Sequence, residues 1–380
     1  MWKSLNLQKC LQKIELPKKL KKTNYLEKGN FPVVSQEKSM INGYFNDASY
    51  VFKLTKPVVI FGDHTKVIKY VDFDFIMGAD GVKILQPIDD IHPKYFFYYI
   101  KSKTNNITNY ERHFKYLKKI DVIIPPMNVQ EIMVKKLEEA FNNIDVQIQK
   151  VENKIINCDS LKSSFLRSNL TNYEKSKSWN NKLFSKLAYT AGRIGWKGLT
   201  AKEYVKQGPL FLSVHSLNYG MYVKFDEAFH ITQERYDESP EIMLKANDLL
   251  ICKDGAGIGK VGIIEKIPSP STINSSLLLV RSLGEVLPKY LYYYFISPMF
   301  QSIIKKKIDG ATTPHLYQRD VKQLSITYPD EINQKKIINK IELIFEKINK
   351  IIENYKKQLI ELNALKSSLL TALLVNNQNE

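Results

Sequence analysis

The sequence predicts an α+β chain with a pseudo-two-fold internal repeat: two mixed α/β domains separated by two long antiparallel coiled-coil helices. Three observations carry that prediction. Residues Asn128 to Leu170 recur without a gap as Ile332 to Leu374, shifted by 204 positions. Leu161, Lys162, Ser163 and Ser164 fall on Leu365, Lys366, Ser367 and Ser368; Pro125 falls on Pro329, Gln130 on Gln334, Phe141 on Phe345 and Ile144 on Ile348. Both copies share one apolar pattern in steps of four and three, as expected of a helix packed along another helix. Pro93 to Ile100 (PKYFFYYI) is echoed by Pro288 to Phe295 (PKYLYYYF), so the repeat includes a globular part as well as a helix.

Taken in order, residues 1–127 read as a first mixed domain. Pro17 to Lys22 (PKKLKK) is a basic turn. Phe31 to Val34, Tyr50 to Leu54 and Val58 to Phe61 are short strands, punctuated by Gly29, Gly43, Gly62, Gly78 and Gly81. Pro93 to Ile100 opens a short aromatic helix, and Lys118 to Ile124 forms a strand that ends at Pro125 and Pro126. Residues 128–170 form the first long helix. Its seam is read as Met133, Leu137, Ala140, Ile144, Val151, Leu161 and Phe165, weakened by Gln147, Lys154 and Cys158. Val134, Phe141, Ile148 and Ile155 widen the stripe. A helix of that length spans roughly 64 Å, too long for an ordinary domain, and the other copy is its simplest partner. Two surface helices, each packed on its own domain, are the alternative.

Residues 171–178 are polar and aperiodic, a linker. Residues 179–328 form the second domain, with strands at Leu210 to Val214, Asp248 to Cys252, Val261 to Ile264, Ser276 to Val280 and Gln323 to Tyr328. Residues 329–380 hold the second long helix and a C-terminal tail. The seam there is read as Ile337, Ile341, Ile344, Ile348, Ile351, Tyr355, Leu362, Leu365 and Leu369, with Ile338, Phe345, Ile352 and Leu359 beside it. The globular halves have diverged further than the helices, which suggests two related but non-identical recognition tasks.

A hydrophobic content of 44% is ample for two or three cores. The net charge of +17 and pI of about 9.4 point to an anionic partner. Residues 128–170 are neutral and residues 331–375 carry +3, which leaves +14 on the rest. The globular parts therefore carry the positive field. Cys10, Cys158 and Cys252 lie far apart, suggesting neither a zinc site nor a disulfide framework. No signal peptide opens the chain, and the longest apolar runs, such as Tyr290 to Ile296, are too short to span a membrane. A cytoplasmic location is expected.

Asp254 to Gly262 (DGAGIGKVG) is Gly-rich, but Asp254 and Val261 stand where a Walker loop needs Gly and Ser or Thr. A dinucleotide fingerprint needs a helix next, and Val261 to Ile264 reads as a strand. A Gly-rich hairpin with Lys260 at its edge fits better; it is equally a structural turn or a backbone that approaches phosphate. Gly192 to Lys197 supplies Arg193 and Lys197; Gly310 to Arg319 supplies Thr312, Thr313, His315 and Arg319. Tyr110 to Lys119 takes the corresponding place in the first domain with Arg112, His113 and Lys115. Further candidates for DNA contact are Lys18, Lys19, Lys21, Lys22, Gln36, Lys38, His64, Lys66, His215 and Lys253. Polar, aromatic and basic groups on irregular backbone are what phosphate and base reading uses. Taken singly, each is more often a solvated surface group. No catalytic residue, metal site or cofactor is expected: the Asn-Pro-Pro-Tyr motif of adenine methyltransferases is missing, Glu152-Asn153-Lys154 lacks an acidic partner, and the His residues show no ligand spacing.

Together, these segments resemble the specificity subunit of type I restriction-modification systems. The exit signatures IIPPMNVQEIMVKKLEEAF and ITYPDEINQKKIINKIELIF, the helix ends LKSSFLRSNL and LKSSLLTALL, and the runs LLICKDGAGIGKVGIIE, GATTPHLYQRDV and FPVVSQEKSMINGYF carry the resemblance over essentially the whole chain. Pro126 and Asp330 depart from the usual pattern without touching the architecture. The resemblance implies a non-catalytic recognition subunit of a DNA adenine methyltransferase/endonuclease complex. Each domain would be a target recognition domain reading one half of a bipartite site in double-stranded DNA. The helices would be a spacer that docks two methyltransferase subunits, with restriction subunits in the full complex. A self-contained DNA methyltransferase or nuclease and a coiled-coil scaffold with protein-binding heads are the rival readings. The missing motifs argue against the first, and the +14 on the heads against the second.

Overall fold

The computed structural model describes residues 2–78, 81–104, 113–171, 179–193, 199–308 and 315–375. The chain divides into two compact units, Met1–Glu152 with Lys356–Glu380, and Asn153–Tyr355. Its first stretch runs β1 (Lys3–Asn6), β2 (Phe31–Val34), β3 (Gly43–Phe45), β4 (Val51–Phe52), β5 (Val58–Gly62), β6 (Ile68–Val71), β7 (Phe75–Met77), β8 (Val82–Leu85), α1 (Pro93–Thr104), α2 (Phe114–Leu117), β9 (Asp121–Ile124) and the long α3 (Met127–Leu170). The second runs β10 (Asn180–Leu183), β11 (Ala188–Ala191), β12 (Val205–Leu212), β13 (Phe229–His230), α4 (Gln233–Asp237), β14 (Leu249–Cys252), β15 (Val261–Ile263), β16 (Ser271–Ile273), β17 (Leu277–Ser282), α5 (Pro288–Ile296), α6 (Pro298–Ile308), α7 (Gln318–Lys322), β18 (Ser325–Tyr328) and the long α8 (Glu331–Val375).

In the first unit, Val58 to Phe61 is wholly buried, as a continuous apolar run should be when both faces are covered. It is the middle strand of the sheet β6-β5-β8, and Val58 and Ile60 share a core with Val34, Phe75 and Met77 of the sheet β3-β2-β7-β4. The aromatic helix α1 buries Tyr95, Phe96 and Tyr99. The Tyr95 and Tyr99 hydroxyls donate to Ile123 O (2.8 Å) and Asp121 O (2.9 Å), fixing α1 to β9. The second unit repeats this. Its sheets are β11-β17-β14-β15 and β13-β12-β16, and Tyr290 and Tyr294 of α5 donate to Thr327 O (3.4 Å) and Ser325 O (3.5 Å) of β18.

The repeated glutamines explain how each long helix leaves its domain. Gln130 is fully buried; its amide donates to Asp90 O (2.9 Å) and Pro125 O (2.7 Å), and its oxygen accepts His92 N (2.8 Å). Gln334 makes the same three bonds, to Glu285 O (3.0 Å), Pro329 O (2.9 Å) and Leu287 N (2.8 Å). Ion pairs Lys94–Glu138 (2.5 Å) and Lys289–Glu342 (2.7 Å) add a second matched link between aromatic helix and long helix. Asp330, where the sequence departs from the family pattern, accepts from Asn333 N (2.9 Å), a side-chain cap at the start of α8.

Each unit is completed by the far end of the other long helix. Leu166 and Leu170 of α3 lie in the core of the second unit, and Leu370 and Leu374 of α8 in the core of the first. Lys366 lies over the Phe141 ring (5.1 Å) and pairs with Asp145 (2.6 Å) in the first unit. Lys162 lies over Phe345 (5.9 Å) in the second. The recurrence of the LKSS run is thus a matched antiparallel contact.

The seam differs from the expected one. Ile144 and Val151 are buried as expected, and so are Ile341 and Ile348. The second half of the stripe comes from what the sequence offered as flanking positions: Val134, Phe141, Ile148 and Ile155, then Ile338, Phe345, Ile352 and Leu359. Leu161 (55% exposed), Ile351 (43%) and Leu365 (47%) face solvent instead. Gln147 and Lys154 are exposed as well, so they do not interrupt the seam. Several strands are shorter than expected, and the strand expected over Leu210 to Val214 runs instead from Val205 to Leu212. Lys118 to Ile120 is a turn before β9, β18 begins at Ser325, and of Tyr50 to Leu54 only Val51 and Phe52 pair, because Asp47 caps a preceding turn of 3-10 helix through Ser49 N (2.9 Å). Of the expected linker, residues 172–178 lie outside the described residues.

Candidate nucleic-acid interface

In the first unit the candidates meet at the turn after β5. Asp63 is 5% exposed there. Its amide donates to Gly81 O (2.7 Å), its carbonyl accepts His113 N (2.9 Å) and its carboxylate accepts Phe114 N (2.9 Å). Gln36 reaches the same turn: its side chain accepts from His64 N (3.2 Å) and its carbonyl from Thr65 Oγ1 (2.7 Å). Lys66 takes the left-handed conformation at φ 59°. Gln36, His64, Lys66 and His113 therefore come together at one sheet end, with Lys115 following on α2. Burial, and then the Lys66 charge, hold the His113 imidazole below its usual pKa.

The neighbouring loop 36–42 carries Lys38 and is held from beneath by Lys69. That residue is 3% exposed, and its ammonium donates to Ser39 O (2.5 Å) and Asn42 Oδ1 (3.0 Å). Burial pushes its pKa down to about 8 against the opposing pull of Glu37. Lys22 pairs with Glu37 on this loop (2.6 Å). Lys18, Lys19 and Lys21 are exposed, with buried Leu20 anchoring them through Leu20 N to Met77 O (3.0 Å). Lys18 sits over the Tyr50 ring (5.5 Å).

In the second unit β14 and β15 form the expected hairpin, Leu249 opposite Ile263. Gly255 turns the chain at φ 73° into open space, and a Cβ at Gly257 would meet Val214 at 2.7 Å, so the turn packs on the segment that carries exposed His215. Lys260 donates to Asn218 Oδ1 (2.7 Å). The Lys253 carbonyl accepts Leu316 N (2.9 Å), and the Asp254 carboxylate holds His315 Nδ1. His315, Tyr317 and Arg319 form a ladder, with ring centroids 4.4 Å apart and the guanidinium 4.7 Å from the Tyr317 ring. Gln318 ties this segment to Thr190 O (2.6 Å). Arg193 is 2% exposed, lies over Phe211 (5.5 Å) and donates to Ile273 O (3.3 Å), so its cation faces the interior. Arg112, Lys197, Thr312 and Thr313 lie outside the described residues.

His113, expected as a contact residue, is 4% exposed and so lies beneath its tip. The exposed imidazole, cationic and amide groups on turns at strand ends form a set suited to phosphate oxygens and base edges. Sequence reasoning missed Asp63, Asp254, Lys69 and Gln318. For the two aspartates a signal was present: each follows an unbroken apolar strand within two residues.

A family model described as the type I restriction modification DNA specificity domain matches residues 2–157 and 201–362. The chain is 22% identical over 377 residues to a type I restriction enzyme specificity subunit of Escherichia coli, covering 92% of this chain and 88% of that protein. A solved structure from work on assembly and conformational transition of the type I restriction-modification system superposes with TM-score 0.71 at 13% identity, covering 98% of this chain and 97% of that one. The HsdS subunit from Thermoanaerobacter tengcongensis gives 0.51 at 14% identity, covering 98% and 96%. These structures share the fold.

Proposed function

Because the chain belongs to the family of type I restriction-modification DNA specificity proteins, we propose that each of its two units reads one half of a bipartite site in double-stranded DNA. Proteins of this family recognise DNA without carrying out the chemistry. The partners in this reading are two methyltransferase subunits, joined by restriction subunits in the full complex, in the cytoplasm. One observation carries the reading: the scaffold is repeated bond for bond while the tips differ. Gln130 and Gln334, Lys94–Glu138 and Lys289–Glu342 are matched, whereas the first unit carries His64 and Lys66 where the second carries a His315-Tyr317-Arg319 ladder. Ile156 and Ile360, 61% and 70% exposed, and Leu161 and Leu365 stand at equivalent places on the two helices. Two like apolar seats suit two copies of one partner.

The test expresses the chain with its methyltransferase subunits in a host lacking adenine methylation and maps modified adenines by sequencing. A two-part motif is expected, and exchanging residues 1–127 for another such domain should change one half only. A change in both halves, or in neither, refutes the reading.

A further inference from the structure

We propose that Asp63 and Asp254, one position apart in the matched turns, are positioning residues with the same task, each fixing from the end of a central strand the segment that carries its unit's DNA-facing side chains. The inference rests on the reading of the two units as half-site readers and adds the residues that set their geometry. β5 lies between β6 and β8, and β14 between β17 and β15, so both strands are inner and fully buried. Asp63 is the first residue after β5, and Asp254 the second after β14. Both turns are fixed to a neighbouring strand end, through Asp63 N to Gly81 O (2.7 Å) and Lys253 N to Ser276 O (2.8 Å). A distant segment then docks on each turn. His113 N donates to Asp63 O and Leu316 N to Lys253 O, both at 2.9 Å. These segments lead into α2, with Lys115, and into α7, with Arg319.

The carboxylates complete the docking in two ways. Asp63 accepts a backbone amide, Phe114 N at 2.9 Å, so its hold is independent of the side chain docked there. Asp254 accepts from the His315 ring, which in turn packs at a tilt against Tyr317. Side chains that read bases must be held within a fraction of an ångström, and groups behind them supply that rigidity. An aliphatic residue of similar size offers no acceptor and releases the segment.

The full chain, expressed with its methyltransferase subunits in a host lacking adenine methylation, supplies the assay. Asp63→Leu should relax the first half of the modified motif, raising modification of singly mismatched sites on the order of tenfold, while the second half stays strict. Asp254→Leu should do the reverse. Asp63→Asn and Asp254→Asn, which keep an oxygen acceptor, should restore discrimination. The untouched half of the motif reports folding and assembly in the same molecule. Should a leucine variant abolish modification altogether, alanine at that position, which also lacks an acceptor, carries the test with the same two outcomes. In a double-mutant cycle, Asp254→Leu with His315→Leu should relax the second half no more than either change alone; additive losses would overturn the coupling. Half-sites indifferent to both aspartates, or relaxed equally by either one, overturn the inference while leaving a two-part wild-type motif intact. A wild-type complex with no two-part motif overturns the underlying reading and the inference with it.

Discussion

Replacing Gln130 by leucine tests the exit of the first long helix from its domain. The side chain is fully buried and makes three hydrogen bonds, to His92 N, Asp90 O and Pro125 O. Leucine fills similar volume but leaves one backbone donor and two acceptors without that partner. A lost bond costs about 1 kcal/mol and a buried unsatisfied group about 1–3 kcal/mol. The bonds to Asp90 and His92 are only part-buried, so water can reach them and the sum falls at about 3–5 kcal/mol. Against a typical stability of about 5–15 kcal/mol, that is a large fraction. Gln334→Leu should cost the second unit the same, since its three bonds are equivalent. Glutamate is no remedy: it keeps the acceptor but turns a carboxylate toward two carbonyl oxygens. Urea unfolding of the full chain, followed by tryptophan fluorescence and circular dichroism, measures the change. A loss below about 1 kcal/mol for either leucine variant would refute the idea that these glutamines hold the helix exits together.

Lys69→Met should alter the pH dependence of the first unit. The folded pKa is lowered from 10.5 to about 8, so the charged form is disfavoured in the fold, and wild-type stability relative to the variant should rise as pH climbs from about 8 toward 10; a difference that is flat or falls over that range speaks against a buried ammonium. Lys366→Ala should cost about 0.5–1 kcal/mol, partly lost in high salt because an ion pair with Asp145 goes with the ring contact; equal losses at 0.05 and about 1 M salt would assign the effect to packing alone. Affinity of the assembled complex for duplex DNA should fall with a log–log salt slope of about −0.9 per phosphate neutralised, and titration in increasing KCl would expose a salt-independent affinity if the basic tips are not the contact surface.

The sequence was most informative where one residue type repeats under one constraint. The offset of 204 located both helices, and the paired glutamines marked both exits before any bond was visible. The seam was harder, because periodicity counts apolar residues without knowing which way they face. Leu161 and Leu365 fit the repeat yet are exposed, while Lys162 and Lys366 are only partly exposed because their stems lie against aromatic rings. At the tips the limit was distance along the chain. Asp63 acts on a residue 51 positions away and Asp254 on one 61 away, and no local pattern links such partners. Nothing in the sequence marks Lys69, since only the fold places loop 36–42 over it.

The exchange of helix ends between the two cores has a consequence for the birth of the protein on the ribosome. The second unit is one uninterrupted stretch of chain, whereas the first is assembled from residues on either side of it. Leu370 and Leu374 belong to the core of the first unit but are translated after all of the second. At about 5–20 residues per second, that is a delay on the order of 10–40 s. The half of the molecule made first is therefore finished last, and until then Tyr95, Phe96 and their neighbours lack part of their cover. A ribosome stalled between residues 355 and 370 would release a chain whose later-made domain is whole and whose earlier-made one is not.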